Sequence, residues 1–385
     1  MSPTSPAPSA AGARPGCPDV ISWLQRFKDE IGDGYVLGPV RVAIGALLGW
    51  HALSAAEELE QLGYFGDVFH VSMVPEALVP SHGLYAVVLA LRVVLAVMVM
   101  FGVWARPALA GSALLGLWLL LCDRLQFHHN RYSLFCYAFL LAFTPCDRSW
   151  RATESPVPEP RTGPFWAVRL AQLQISLVYL ASGGSKLLDP DWRSGLVLGD
   201  RIARHAHLAV AAGVPRKVVD ILATPDAASA LAKLAIMTEL VICMALWIQP
   251  TRVVAMWWGI WFHIAIQLTT KVETFTLVTL AMYGVYATPD YHARTLRFDP
   301  SRFWGKTAGA FVPLFDWLGR FEVKPWEPDD QPGHSVVVMR RDGERVTGVR
   351  AFAMIARCLP VLFPLWAPIA LLASFTRQGD LTTAS

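Results

Sequence analysis

One stretch of the sequence indicates the fold of this chain: Tyr179-Leu-Ala-Ser-Gly-Gly-Ser-Lys-Leu-Leu-Asp-Pro-Asp-Trp-Arg-Ser-Gly195. It places a lysine, two aspartates, a tryptophan and an arginine at the end of a segment, 165–183, that is apolar enough to span a bilayer. Charged and aromatic residues concentrate where a membrane helix leaves the hydrocarbon layer. The stretch therefore predicts the end of a membrane helix and the start of a polar surface.

The composition of the whole chain supports the same class. Of its 385 residues, 54% are hydrophobic, 16% are charged and 15 are tryptophans. Soluble domains carry about 25% charged residues. A net charge of +3 without a basic block argues against a nucleic-acid partner. We predict an all-α polytopic membrane protein that crosses the cell membrane several times, with membrane lipid as a partner.

Apolar runs of about 17 to 25 residues each predict one membrane helix. Eight such runs occur along the chain, at 37–56, 84–104, 107–124, 131–146, 165–183, 230–249, 252–270 and 273–289. Short hinges at 105–107 and 250–252 predict antiparallel helical hairpins. The prediction is a bundle of about eight transmembrane helices, in a domain that covers 35–295.

The segments before this domain have a different composition. Residues 1–18 are rich in Pro, Ala and Ser, which predicts a disordered tail. Residues 19–34 carry apolar and charged residues at helical spacing together with a tryptophan, which predicts an interfacial helix. An ordinary juxtamembrane helix would show the same pattern.

The C-terminal segment, 296–385, becomes polar again. Within it, residues 335–346 read as a strand, an Asp-Gly turn and a second strand, which predicts a short β-hairpin. The apolar run at 359–373 contains three prolines. Because prolines interrupt a helix, we predict an interfacial or re-entrant membrane-associated piece there rather than a ninth span.

The distribution of lysine and arginine predicts the orientation of the bundle. No Lys or Arg lies between Arg41 and Arg92, a stretch that contains five acidic residues. We expect that loop to be external and the N-terminus to be cytoplasmic. Arg148 and Arg252 then lie on the cytoplasmic side.

Three polar clusters fall at the same external end of the predicted bundle: 128–131, 185–192 and 267–273. Their convergence predicts one site, with a cavity that also includes Glu239 and His263 from within two spans. Ionisable residues inside membrane helices are costly and often functional.

Each of these residues also has an ordinary structural interpretation. Glu239 can pair with an arginine in the bundle interior, and His263 can be a satisfied core histidine. Lys186 can act as a proton acceptor if it is partly desolvated, or it can extend to lipid headgroups as an anchor. His128 and His129 lack a third ligand at suitable spacing, so we predict no metal site.

With these residues in place, the chain resembles the HTTM (horizontally transferred transmembrane) proteins, the bacterial branch of the vitamin K-dependent gamma-carboxylase superfamily. The resemblance covers roughly 35–295. The residues that carry it are Phe127-His-His-Asn-Arg-Tyr132, Asp147-Arg-Ser-Trp150, Tyr179 to Gly195, Glu239, Arg252, Phe262-His263 and Ala287-Thr-Pro-Asp290.

The resemblance implies an enzyme that oxidises a quinol with oxygen and acts on a peptide or a small acceptor at the external face. Reduced vitamin K or menaquinone is the implied cofactor, and a secreted peptide is the implied substrate. The implied catalytic residues are Lys186, His129 and His263. The implied pocket residues are Asn130, Tyr179, Asp189, Trp192, Glu239 and Gln267.

The chain departs from the carboxylase pattern at two positions. Leu187 stands where the carboxylases have their catalytic lysine, and Asn130 stands where they have a functional histidine. Two alternatives to an enzyme therefore stay open: a non-catalytic membrane factor for peptide maturation or export, and a binder of a lipid-soluble ligand.

Overall fold

A computed structural model describes residues 25–61, 71–125, 127–152, 162–270, 274–287, 294–327 and 333–375. The predicted disordered tail at 1–18 lies outside this part of the chain, as do residues 19–24 of the predicted interfacial helix. Residues 25–28 are helical, but strand β1 (Ile31–Asp33) replaces the predicted helix at its end. The helix prediction was wrong there because β1 pairs with strand β2 (Thr162–Pro164), a partner far along the chain.

Each of the eight predicted spans overlaps a helix. The first five helices are α1 (Leu37–Gln61), α2 (His82–Phe101), α3 (Ala105–Leu121), α4 (His129–Leu141) and α5 (Trp166–Leu188). Four short helices follow: α6 (Pro190–Ser194), α7 (Leu196–Arg204), α8 (Ala206–Ala211) and α9 (Arg216–Leu222). The bundle ends with α10 (Pro225–Ala245), α11 (Gln249–Thr270) and α12 (Phe275–Met282), the last of which continues as a 3-10 turn (Tyr283–Tyr286).

Two of the described helices, α2 and α10, are long and apolar enough to cross a membrane, with mean hydropathies of 2.6 and 1.7 over their best windows. α3, the segment Phe275–Tyr286 and the segment Phe363–Phe375 are apolar but shorter. The crossing of the membrane by all eight helices stays a prediction.

The outer faces of the bundle are apolar. On α2, Val87 and Val94 are 63% and 54% exposed, and on α10 Met237 and Met244 are 57% and 65% exposed. The inner faces bury a separate aliphatic core that includes Ile44, Leu48, Leu109, Leu134 and Leu141. Water-soluble proteins rarely expose continuous apolar surface of this kind, so the outer faces suit lipid.

Arg41, near the start of α1, is fully buried and donates only to backbone carbonyl groups. The acceptors are the carbonyl oxygens of Val99, Met100, Cys146, Ser149 and Trp150. The last turn of a helix leaves carbonyls without an intrahelical partner. Arg41 satisfies such groups at the end of α2 and in the turn after α4, and it thereby fixes both ends against α1.

The connection from α2 to α3 is short because Gly102 adopts a left-handed conformation, with φ of 75°. A side chain there would be strained, and its Cβ would lie 2.8 Å from the Arg41 guanidinium. The predicted hairpin between α2 and α3 therefore depends on both residues.

The connection between α5 and α10 is helical and covers one end of the bundle. Gly195, with φ of 86°, ends α6 against the backbone of Ser229 at the start of α10. Ile202, Ala206 and Val219 form a small core of their own between α7, α8 and α9. The cover lies directly over the end at which α5 carries Lys186.

The C-terminal segment forms a four-stranded sheet with the strand order β4-β3-β5-β6. Its strands are β3 (Arg294–Phe298), β4 (Phe321–Pro325), β5 (Val336–Met339) and β6 (Arg345–Thr347). β5 and β6 pair antiparallel around the Asp-Gly turn, as the hairpin prediction describes. β3 pairs in parallel with β4 across helix α13 (Phe303–Phe315), so the fold is not purely helical.

The apolar run after helix α14 (Gly348–Cys358) packs against the bundle. The indole nitrogens of Trp257 and Trp261 on α11 both donate to the Pro364 carbonyl oxygen, at 2.7 Å and 3.1 Å. Helix α15 (Trp366–Phe375) follows. Ten residues reach only about 15 Å as a helix, and the hydrocarbon layer is about 30 Å thick. This geometry favours the re-entrant or interfacial prediction for the run.

We expect Arg41→Met to destabilise the protein strongly. The variant removes the arginine donors from the Cys146, Ser149 and Trp150 carbonyls, and each buried group left without a partner costs about 1–3 kcal/mol. Thermal unfolding of the detergent-solubilised protein, followed by tryptophan fluorescence, measures the effect. Arg204→Met is the matched control, because the Arg204 side chain is 71% exposed. Equal melting temperatures for the two variants would contradict the role given to Arg41.

Replacing Trp257 and Trp261 together by phenylalanine should release the 359–375 segment from α11. Phenylalanine keeps the aromatic ring but removes the donors to Pro364. Amide hydrogen exchange should then accelerate in 359–375 while exchange in α1 stays slow. Unchanged protection of the segment would show that the two hydrogen bonds do not hold it.

Candidate functional site

Arg169, Gln172, Ser176 and Tyr179 lie at helical spacing along α5 and form a polar stripe, and its members have partners on other elements. Gln172 donates to the Val285 carbonyl at 2.7 Å. Ser176 accepts from the Trp247 indole at 2.7 Å. Arg169, nearer the start of the helix, forms an ion pair of 2.6 Å with Glu30. The helical spacing of these polar residues therefore predicts a protein-facing stripe.

Lys186 and Glu239 form a buried ion pair between α5 and α10. The lysine Nζ lies 2.8 Å from both carboxylate oxygens, and the two side chains are 17% and 6% exposed. Ser182 donates to Glu239 Oε1 at 3.0 Å and accepts a hydrogen bond from Lys186 Nζ. The helices approach closely because Gly183 has no side chain, and a Cβ at that position would lie 3.1 Å from Glu239 Cβ.

The lysine also faces an aromatic ring of the helical cover. Its Nζ lies 5.2 Å from the centroid of the Trp192 ring, and the Arg201 guanidinium carbon lies 5.3 Å from the same centroid. A ring face attracts cations at such distances. Trp192 therefore ties the cover formed by α6 and α7 to the ion pair below it.

Asp189 does not join the ion pair. Its Oδ1 accepts from the Asp191 backbone N–H at 2.9 Å, so the residue begins α6 as an N-cap ahead of Pro190. Leu187, the position at which the resemblance predicts the catalytic lysine of the carboxylases, is 46% exposed, whereas the Lys186 and Glu239 side chains are 17% and 6% exposed.

A second polar group lies deeper, where Tyr179, His263 and Tyr283 meet. The Tyr179 hydroxyl lies 2.6 Å from His263 Nε2 and also makes a short hydrogen bond to the Tyr283 hydroxyl. His263 is 1% exposed. Gly259 makes room for the Tyr283 hydroxyl, which would lie 2.0 Å from a Cβ at that position.

Two buried polar atoms near this group have no hydrogen-bond partner among the described residues. They are His263 Nδ1 and Gln267 Oε1. The two residues are four apart on α11, so they share one helix face. Buried polar atoms without partners are uncommon in proteins, and a ligand with hydroxyl groups could satisfy both.

The histidines at the start of α4 lie within electrostatic range of the lysine. Burial lowers the pKa of His129 below its usual range, and the nearby charges of His128, Lys186 and Arg201 lower it further. Asn130, the next residue, is 2% exposed. Among the described residues, no group of three or more His, Cys, Asp or Glu side chains is placed to hold a metal ion.

Five of the predicted site residues fall into two groups. Lys186 contacts both Glu239 and Trp192, and Tyr179 is hydrogen-bonded to His263. The cluster at 267–273 is described only up to residue 270. The sequence-based prediction did not include Ser182, Tyr283 and Arg201. Ser182 precedes Lys186 by four residues, so helical spacing alone could have identified it.

The described residues also line a cleft of about 760 Å³ at the opposite end of the bundle. Its walls include Gly102, Trp104, Arg106 and Arg151, beside the Arg41 network. The cleft contains none of the predicted site residues and is not part of the candidate site.

Comparison with family models identifies the chain. The model of the HTTM domain matches residues 31–291, which is more than half of the sequence. The chain therefore belongs to the HTTM domain family, which is related to the vitamin K-dependent carboxylases. Comparison with curated proteins and with solved structures gave no match.

We expect the Lys186–Glu239 pair to behave as one energetic unit. Glu239→Leu leaves a buried ammonium without its carboxylate, which typically costs about 3–5 kcal/mol. The double variant Lys186→Met/Glu239→Leu removes both charges and should unfold at a higher temperature than Glu239→Leu alone. Thermal melts of the four proteins in the cycle measure the coupling. Additive effects of the two substitutions would mean that the pair is not coupled.

Proposed function

We propose that this HTTM-domain membrane protein binds a quinol, such as reduced vitamin K or menaquinone, beside Tyr179 and His263, and uses it in an oxygen-dependent step on a peptide or small acceptor. The observation that carries the proposal is the buried Tyr179–His263–Tyr283 group, with an unused ring nitrogen on His263. The acceptor would approach the end of the bundle that Trp192 covers.

The buried polar atoms fit a quinol. A quinol has two hydroxyl groups on an apolar ring, and it needs acceptors inside an apolar pocket. His263 Nδ1 and Gln267 Oε1 are unpaired among the described residues and lie on one face of α11. When bound, the quinol would supply the electrons for reducing oxygen.

The hydrogen-bonded side chains can move a proton away from such a ligand. His263 Nδ1 can accept the proton of a ligand hydroxyl, and the resulting imidazolium then donates its Nε2–H to the Tyr179 hydroxyl, which in turn donates to the Tyr283 hydroxyl. In the neutral imidazole one nitrogen carries a proton and the other accepts a hydrogen bond. His263 can therefore either donate to Tyr179 or accept from it through Nε2.

Lys186 has a different role in this scheme. Its nitrogen donates to Glu239 and Ser182, so it does not offer a lone pair to a substrate proton. The ion pair instead holds α5 against α10, and Glu239 balances the positive charge of Lys186 near His129 and His263. Lys186 is therefore a positioning residue in the proposal, and His263 is the proton acceptor.

One observation favours the second candidate, a non-catalytic binder or factor for peptide maturation or export. The position of the carboxylase lysine is occupied by Leu187, which is 46% exposed, and Lys186 is engaged by a carboxylate. A protein that kept the quinol site but lost the base would bind the ligand without turnover.

The test incubates the purified protein with reduced menaquinone, oxygen and labelled bicarbonate, and measures quinone epoxide and fixed label. The proposal predicts epoxide with the wild-type protein and at least a hundredfold less with His263→Gln, because general acid–base catalysis contributes about 10²- to 10⁴-fold. His207→Gln, which changes an exposed histidine, is the matched control. Saturable binding of menaquinone without epoxide would favour the non-catalytic candidate, and absence of binding would contradict both.

Lys186→Arg separates the two possible bases. Arginine keeps the positive charge but does not readily deprotonate, and it can still pair with Glu239. We expect this variant to fold and to retain a substantial part of the wild-type epoxide formation. Complete loss of activity in a folded Lys186→Arg protein would make Lys186, rather than His263, the proton acceptor.

A further inference from the structure

Two arginines are fully buried within the bundle, and their surroundings differ. Arg41 donates to carbonyl oxygens on every side. Arg92, the eleventh residue of α2, is 1% exposed and has far fewer contacts. A buried guanidinium normally requires several acceptors and an opposite charge.

Among the described residues, one histidine and one aromatic ring contact the Arg92 guanidinium, and the charge of Tyr85 acts on it. Its NH2 group lies 3.2 Å from His51 Nδ1, and its guanidinium carbon lies 5.0 Å from the centroid of the Phe135 ring. Its Nε–H has no acceptor, and no described residue forms an ion pair with it. The positive charge is therefore stabilised by a ring face but is not neutralised.

His51 adds a second unused donor. Because arginine only donates, His51 Nδ1 must accept, and the imidazole proton then lies on Nε2. That Nε2 is buried and has no acceptor among the described residues. His51 packs edge-on against Phe135, with ring centroids 5.2 Å apart. Two N–H groups thus lie unused around the same phenyl ring.

We propose that Arg92 and His51 bind the carboxylate of a ligand inside the bundle. A carboxylate is a planar monoanion with two acceptor oxygens, and it neutralises the single charge of Arg92 without leaving an excess. Guanidinium N–H groups match carboxylate geometry well. A doubly charged phosphate would leave a net negative charge in the apolar interior.

The depth of Arg92 limits where the ligand comes from. The residue lies about 15 Å from either end of α2, which is near the middle of a hydrocarbon layer of about 30 Å. A phospholipid headgroup at the membrane surface does not reach it. The carboxylate belongs either to an acyl chain from the lipid phase or to a small water-soluble acid. The positive charge of Arg131, at the start of α4, also acts on His51.

The site is separate from the Lys186–Glu239 pair and from the quinol proposal, so either can fail alone. The experiment measures equilibrium binding of radiolabelled laurate and of radiolabelled butyrate to the full chain in a neutral detergent, with dodecanol and butyramide as uncharged competitors. We expect saturable binding of at least one acid, no competition by its uncharged analogue, and at least a tenfold weaker affinity for Arg92→Met. Arg204→Met, which changes an exposed arginine, should bind like the wild type.

Folding is followed in the same samples. If Arg92 is a binding residue with an uncompensated charge, Arg92→Met should melt at or above the wild-type temperature without ligand, and the acid should no longer raise it. Laurate binding alone points to an acyl chain, and butyrate binding points to a soluble acid. Absence of saturable binding, equal competition by the uncharged analogues, or undiminished binding to Arg92→Met would overturn the proposal.

Discussion

The fold depends on how a buried guanidinium satisfies backbone carbonyl groups at one end of the bundle. Arg41 donates to carbonyls at the end of α2 and in the turn after α4. The Val99 carbonyl also accepts from the Gly102 N–H, whereas the Ser149 and Trp150 carbonyls lie in the turn, beyond the end of a helix. Water cannot take the place of the arginine there, because the side chain is fully buried. The left-handed turn at Gly102 and the left-handed Trp150, with φ of 57°, both lie against this network. One side chain of α1 thereby joins the end of α2 to the turn after α4.

The same comparison of paired and unpaired polar groups supports the proposed sites. Along α5, the polar side chains of Gln172, Ser176 and Lys186 are all paired, so they stabilise the bundle. The exceptions among the described residues include His263 Nδ1, Gln267 Oε1 and the Nε–H of Arg92. A buried group without a partner costs free energy. At two places in the bundle such groups lie beside other polar side chains, and these are the places where we propose that ligands bind.

Much of the helical architecture could be predicted from the sequence, because apolar run length and turn residues are local signals. The polar stripe on α5 followed from helical spacing, and the N-cap role of Asp189 was accessible from the Asp-Pro pair that begins α6. The pairing of Lys186 with Glu239 could not be predicted, because 53 residues separate the partners and several arginines were possible partners for the same carboxylate. The parallel pairing of β3 with β4 was missed for a similar reason, since an intervening helix leaves no hairpin signal.

The predicted orientation of the bundle places the Lys186 site at the external end and the Arg41 network at the cytoplasmic end. Cysteine labelling in intact cells tests this most directly, after replacement of the native cysteines. Ser185 and Thr251 are both exposed and lie at opposite ends of the bundle. A membrane-impermeable maleimide should label Ser185→Cys in intact cells and label Thr251→Cys only after the membrane is opened. Labelling of both positions from the same side would contradict the arrangement.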